Sequence, residues 1–262
     1  MSNTLSKQQD STPSRTTMSA GGVLALSYGA LSYGVFLVAF LYAIGFVGNL
    51  IVPKTIDSGV QRPLQEALIV NVLLLGAFAI QHSVMARPGF KKWWTKIIPK
   101  SIERSTFVLL ASLLLLLLYW QWRPITTQVW AVEHSAGQIL LQALYFLGWL
   151  IVFLGTFMIN HFDLFGLRQV YLKLQNQEYT DLGFRIPGFY KFVRHPIMLG
   201  FLIAFWATPV MTVGHLLFAV ATTGYILIAL LLEERDLVNH FGDQYREYRR
   251  KTSMLIPRVP KQ

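Results

Sequence analysis

The sequence predicts an all-α fold: a polytopic membrane helix bundle of four spans, followed by a C-terminal helical hairpin and a cytoplasmic module. Three observations carry this expectation. Hydrophobic residues make up 53% of the chain and charged residues only 14%, against about 25% charged in ordinary soluble domains. Several stretches long enough to span a bilayer carry no charge, the signature of transmembrane helices. The cations gather in the polar segments between those stretches, as membrane topology requires. The net charge of +10 is therefore read as topology, and nucleic acid is excluded as a partner. With no cysteine in the chain, disulfides, thiolate metal ligands and a cysteine nucleophile are excluded as well.

Residues 1–20 are rich in Ser and Thr, lack periodicity and read as a disordered polar tail. Membrane helices 1–4 occupy residues 21–166. The first span, residues 21–52, is broken only by Ser, Tyr and Asn, and Gly29, Gly34, Gly45 and Gly48 permit close helix approach. The second, residues 67–86, carries Asn71 and His82 on one face, because eleven residues make about three helical turns. Polar groups at such depth face the bundle interior. The loop 87–104 sets Trp93 and Trp94 beside Lys91, Lys92, Lys96 and Lys100, an interfacial anchor. Residues 105–122 form the third span and 135–159 the fourth, which ends in Asn160-His161-Phe162-Asp163.

Residues 167–262 are expected to be a cofactor-binding module, with a membrane hairpin over 197–232 and a cytoplasmic tail. Residues 196–232 contain no Asp, Glu, Lys or Arg. As one helix the run from 197 would be about 54 Å long, nearly twice the roughly 30 Å hydrocarbon core. A hairpin breaking between Pro209 and His215 solves this and decides the topology. It places 20 of the Lys and Arg residues on the cytoplasmic side against 3 outside, with both termini inside. Arg194-His195 and Glu233-Glu234 then meet at one membrane face. That bipolar pair of dipeptides suits a zwitterionic ligand, with Arg194 gripping a carboxylate. The same charges equally make a salt-bridged cluster of helix ends.

The residue order narrows the choice. Gly188-Phe189-Tyr190, Arg194-His195-Pro196, Gly200, Glu233-Glu234 and Phe241 to Tyr248 resemble the C-terminal module of the isoprenylcysteine carboxyl methyltransferase superfamily. Within it, Gln81 to Arg87, Asn160 to Tyr171, Gly200 to Pro209 and Leu232 to Leu237 are similar to the bacterial methanethiol S-methyltransferases. The resemblance implies a bacterial inner-membrane enzyme that transfers a methyl group from S-adenosylmethionine to a small volatile thiol, giving dimethyl sulfide. It implies cofactor binding by Tyr190, Arg194, His195, Pro196, Met198, Gly200, Glu233 and Glu234. Met198 stands where the superfamily has Tyr, so a change in substrate is expected there. Because the thiolate is the nucleophile, a base is useful. His161 and Asp163 stand where the fourth span ends, Asp163 either orienting His161 or taking the proton itself, and His82 is a third candidate. Membrane lipids are the expected surroundings, and no metal is expected. The alternatives at this level are a methyltransferase of the same fold acting on a lipid or a larger thiol, and a non-catalytic membrane protein with a lipid-headgroup site.

Overall fold

The computed structural model describes residues 19–257, so the expected polar tail lies outside the described residues except at its last two positions. In chain order the elements are α1 (Ala20–Val47), α2 (Leu64–Ala86), α3 (Pro88–Trp94), α4 (Lys100–Gln121), β1 (Gln128–Ala131) and α5 (Ser135–Ile159). Then follow α6 (His161–Leu164), α7 (Leu167–Leu174), a 3-10 turn (Gly188–Lys191), α8 (Pro196–Trp206), β2 (Val210–Thr212), α9 (Val213–Phe241) and α10 (Asp243–Lys251). Helices α1, α2, α4, α5 and α9 are long and apolar enough to cross a membrane. The chain is a polytopic helical membrane protein. Their outward faces are lined by exposed apolar side chains such as Leu31, Leu41, Leu73, Ile139 and Leu231, as a lipid solvent demands.

Local chemistry sets the ends of these helices. Ser19 caps α1, its hydroxyl accepting from the Gly22 amide at 3.1 Å. Pro88 and Pro196 open α3 and α8, where the missing amide hydrogen costs nothing. Thr212 caps α9 by accepting from the His215 amide. Gly242, at φ +59°, turns the chain out of α9 into α10, a backbone region that favours glycine.

The bundle packs chiefly α1 against α4 and α7, α2 against α4, and α5 against α8. The last pair depends on two glycines. A Cβ built on Gly148 would lie 2.6 Å from the Gly200 carbonyl oxygen, and one built on Gly200 would lie 2.6 Å from that of Gly148. The two backbones touch, as small residues allow in membranes. At the end of the bundle away from Glu233-Glu234, an aromatic core of Phe46, Tyr119, Trp122, Tyr145, Trp149, Phe205 and Phe218 fills the space between helices. Trp122 Nε1 donates to the Ile56 carbonyl at 3.0 Å, and Asn71 exchanges two hydrogen bonds with the Arg123 backbone at 2.7 and 2.8 Å. Asn71 and His82 do share a face, the one turned to α4.

The chain turns back over residues 207–212, overlapping the expected break between Pro209 and His215 but placing His215 inside α9, and the two legs are unequal. Helix α8 has 11 residues, about 16 Å at 1.5 Å per residue, and does not span. Helix α9 has 29 and does. Between them β2 pairs antiparallel with β1, a two-stranded patch that the all-α expectation lacked. The strands close the turn, and buried His215 ties back to the Phe205 carbonyl at 2.9 Å. Trp206 Nε1 donates across the hairpin to Thr223 at 2.9 Å. Helix α4 also starts five residues earlier than the uncharged run, because Glu103 and Arg104 sit on its first turns. A Gly148→Val substitution is expected to separate α5 from α8, at a cost of about 1–3 kcal/mol or more. A clear fall in the thermal midpoint of the detergent-solubilised protein checks it.

Candidate active site

The fold-back brings the two polar dipeptides together, and they bind each other. Arg194 Nε donates to Glu234 Oε1 at 2.6 Å, and Nη2 lies 2.5 Å from the same oxygen. Arg249, on α10, approaches Glu234 Oε2 at 3.2 Å. His195 Nε2 lies 3.3 Å from Glu234 Oε1 and Nδ1 lies 3.9 Å from Glu233 Oε2. Glu234 is 4% exposed and His195 7%, whereas the Glu233 side chain is 46% exposed. Arg194 also donates through Nη1 to the Thr252 carbonyl. Next to it the Arg194 and His195 amides donate to the Ser253 and Met254 carbonyls at 2.8 and 3.2 Å. The C-terminal segment is thereby tied to the start of α8.

The other expected cofactor residues surround this knot. Tyr190 is buried, and its carbonyl accepts from the Tyr248 hydroxyl at 2.5 Å. Burial raises the pKa of Tyr190, with Glu233 and Tyr248 adding to the effect. Burial likewise pushes Tyr248 up to about 12, so both phenols stay protonated. Pro196 is fully buried, Met198 packs with Ile226, Leu230 and Leu255, and Gly200 faces α5. Of the expected set, Glu233 is the charged group left largely open at the mouth.

The three base candidates lie in separate surroundings. His161 is 4% exposed and stacked on Phe157 at 4.1 Å, with both nitrogens occupied. The Thr156 hydroxyl donates its one hydrogen to the Phe153 carbonyl at 2.7 Å. His161 Nδ1, 2.8 Å from Thr156 Oγ1, must therefore be the donor in that pair. That tautomer makes Nε2 the acceptor of the Tyr33 hydroxyl at 2.7 Å. Burial lowers the His161 pKa, which agrees with a neutral ring. Asp163 turns away from His161. It accepts from Arg168 Nη1 at 3.0 Å and from the Tyr179 hydroxyl at 3.3 Å.

His82 differs from both. Its ring sits against Phe107 at 4.8 Å, Phe78 at 5.3 Å and Tyr225 at 6.4 Å. Its Nδ1 is buried without a hydrogen-bond partner among the described residues. One turn on, Arg87 bridges α2 to α9 through Asp236 at 2.8 Å.

Beside these groups an open cleft of about 830 Å³ lies between the α3–α4 corner and the α5–α7 turn, within the size range of small-molecule sites. Arg104, Lys91, Lys100, Glu103, Asp163 and Gln169 are among its lining residues. Arg104 sits over the Phe107 ring, which also packs against His82 at 4.8 Å, so cleft and His82 belong to one end of the bundle. Sequence reading missed Arg104 because it assigned the residue to a loop. It missed Tyr33, Thr156 and Tyr225 because nothing in the local pattern marks which apolar-helix hydroxyls face a histidine.

The family profile described as NnrU protein matches residues 70–254. A methanethiol S-methyltransferase of Mycobacterium tuberculosis is 62% identical over 234 residues, covering 89% of this chain and 96% of that protein. One of Crocosphaera subtropica is 53% identical over 97% of this chain and 99% of its own length. This chain belongs to the methanethiol S-methyltransferase family. A more distant relative, Nurim of Danio rerio, is 28% identical over 66% of each chain. No solved structure matches. The family resemblance read from the motifs is therefore borne out.

Within this family member the Glu234 knot should be structural as well as functional. Glu234→Ala leaves a guanidinium buried without its carboxylate and is expected to cost about 3–5 kcal/mol. Glu233→Ala, at a half-exposed position, should cost far less. Unfolding midpoints of the two variants check the contrast. His161 titrates lower folded than unfolded, so its contribution is present above the ordinary histidine pKa of about 6.5. It is lost as the pH falls through the lowered folded value. The melting temperature should drop on acidification below about pH 6.5, and His161→Asn should flatten that drop.

Proposed function

We propose that this protein is an integral-membrane, S-adenosylmethionine-dependent methyltransferase that converts methanethiol to dimethyl sulfide at the cytoplasmic face of a bacterial inner membrane. The observation that carries the reading is the near full-length similarity to proteins named methanethiol S-methyltransferase. The topology follows from the 20 to 3 distribution of Lys and Arg, which puts both termini and the Glu233-Glu234 mouth inside. Residues 167–262 serve as the cofactor module, the Arg194–Glu234–Arg249 knot giving it a rigid frame, with Glu233 at its open side and His195 and Tyr190 buried behind it.

S-adenosylmethionine, when bound, supplies a methyl group on a sulfonium sulfur. The chain must exclude water, orient the thiol and take its proton, because the thiolate is the nucleophile. Of the three candidates, His82 fits the proton acceptor best. Its Nδ1 is buried and unpartnered among Phe78, Phe107 and Tyr225. His82 Nδ1 would take the thiol proton, leaving the thiolate to accept the methyl group from the bound donor. His161 and its partners Thr156 and Tyr33 brace α1 against α5, and Asp163 is held by Arg168.

The test is headspace gas analysis of membranes containing the protein, given methanethiol and S-adenosylmethionine. Dimethyl sulfide is expected; its absence, with cofactor binding retained, would reject methanethiol as the acceptor. His82→Gln should lower kcat by about 10²–10⁴ with little change in cofactor affinity. An unchanged kcat would remove His82 from the role.

A further inference from the structure

The Arg194 fork expected to grip the cofactor's carboxylate is already filled. Its Nε and Nη2 both engage Glu234, and Nη1 engages backbone carbonyls of the C-terminal segment. Glu234 in turn is shared by two guanidiniums and His195. Neither residue has charge to spare for a zwitterion, and the other guanidinium on Glu234, that of Arg249, is half exposed with its Nε already committed to that carboxylate.

The cleft beside it has what the mouth lacks. Arg104 spends only its Nε, which donates to the Leu164 carbonyl at 2.6 Å. Its guanidinium is seated over the Phe107 ring, with Cζ 4.9 Å from the centroid. Both Nη groups are without a hydrogen-bond partner among the described residues, and Arg104 lines the cleft. Lys91 and Lys100 also line it and form no ion pair among the described residues. Acceptors face these donors. Glu103 Oε1 and Gln169 Oε1, both on cleft-lining residues, are buried with no hydrogen-bond partner. Gln169 is locked in that orientation because its Nε2 donates to the Asp163 carbonyl at 3.1 Å.

A pinned planar fork with two free donors matches a carboxylate. Buried acceptors left unpaired carry a desolvation penalty that a ligand's N–H groups would relieve. A ligand bearing a carboxylate and an ammonium on one carbon satisfies both halves at once. A phosphate headgroup would satisfy the cations alone.

We propose that the cleft between α3–α4 and α5–α7 is the subsite for the α-amino-acid end of the methyl donor. Arg104 receives the carboxylate, and Glu103 and Gln169 receive the ammonium. The proposal rests on the S-adenosylmethionine reading above and names a set of residues for it that the dipeptide motifs do not contain. Arg104 is placed for it by the Leu164 carbonyl and the Phe107 face, the ring that also packs on His82.

The experiment compares two ligands on the full-length protein in detergent. S-adenosylhomocysteine carries the amino-acid end, and 5′-methylthioadenosine lacks it. Kd values are measured by titration calorimetry for wild type, Arg104→Gln, Arg104→Lys and Glu103→Gln. Arg104→Gln is expected to weaken S-adenosylhomocysteine about 10- to 100-fold and to leave 5′-methylthioadenosine within twofold. Arg104→Lys, which keeps the charge but loses the fork, should fall between. Glu103→Gln should weaken the first ligand and spare the second. Equal weakening of both ligands by Arg104→Gln, or no weakening of either, would overturn the proposal, the first outcome marking Arg104 as a packing residue. Failure of the wild-type protein to bind S-adenosylhomocysteine at all would overturn the donor reading itself, and the subsite with it. Tight wild-type binding that Arg104→Gln leaves intact would overturn the subsite alone.

Discussion

Glu234 is a carboxylate near the end of a 29-residue, largely apolar helix, at a position where the protein excludes almost all water. A single buried charge there would be prohibitively costly. It persists because Arg194 and Arg249 reach it from two other elements and His195 adds a third contact. Those partners come from the start of α8 and from α10, so neutralising one side chain fixes the path of the chain from residue 194 to the end of α10. The hairpin must close to bring Arg194 to Glu234, and the chain beyond Gly242 must return to bring Arg249. The parallel run of residues 193–195 beside 253–254 follows from the same closure.

That closure has a chemical consequence. Once Arg194 and Glu234 neutralise each other, they frame the mouth and leave little charge free for a ligand. Charges without an ion-pair partner among the described residues stand on α3 and α4, with Arg104 held over Phe107, while Glu233 stays half open at the mouth. The same reasoning sorts the histidines. His161 has both nitrogens bonded and acts as a brace. His82 sits among rings with its Nδ1 buried and without a hydrogen-bond partner among the described residues.

Lipid imposes the remaining constraint. In hydrocarbon, helices gain little by hiding apolar side chains from one another, and close backbone contact has to supply the specificity. Gly148 against Gly200 does this for α5 and α8. It explains how an 11-residue helix too short to span can sit stably within the bundle: it is backed by a spanning helix along its length and capped at its far end by the β1–β2 pair. The motif glycine at position 200 thus serves helix approach.

By itself the sequence determined the spans, the hairpin and the meeting of Arg194-His195 with Glu233-Glu234. Those features are written in uncharged length and in the placement of Lys and Arg, which a bilayer of fixed thickness reads directly. The motif order also determined the methyltransferase family. Only the tertiary structure decided which charges are spent on one another and which remain free. Pairing depends on distances between elements far apart in the chain, as with Arg249 on Glu234 or Thr156 and Tyr33 on His161. It also decided that Arg104 belongs to a helix facing a cleft, since a charge at a helix start looks the same in sequence whether it faces water, lipid or a ligand.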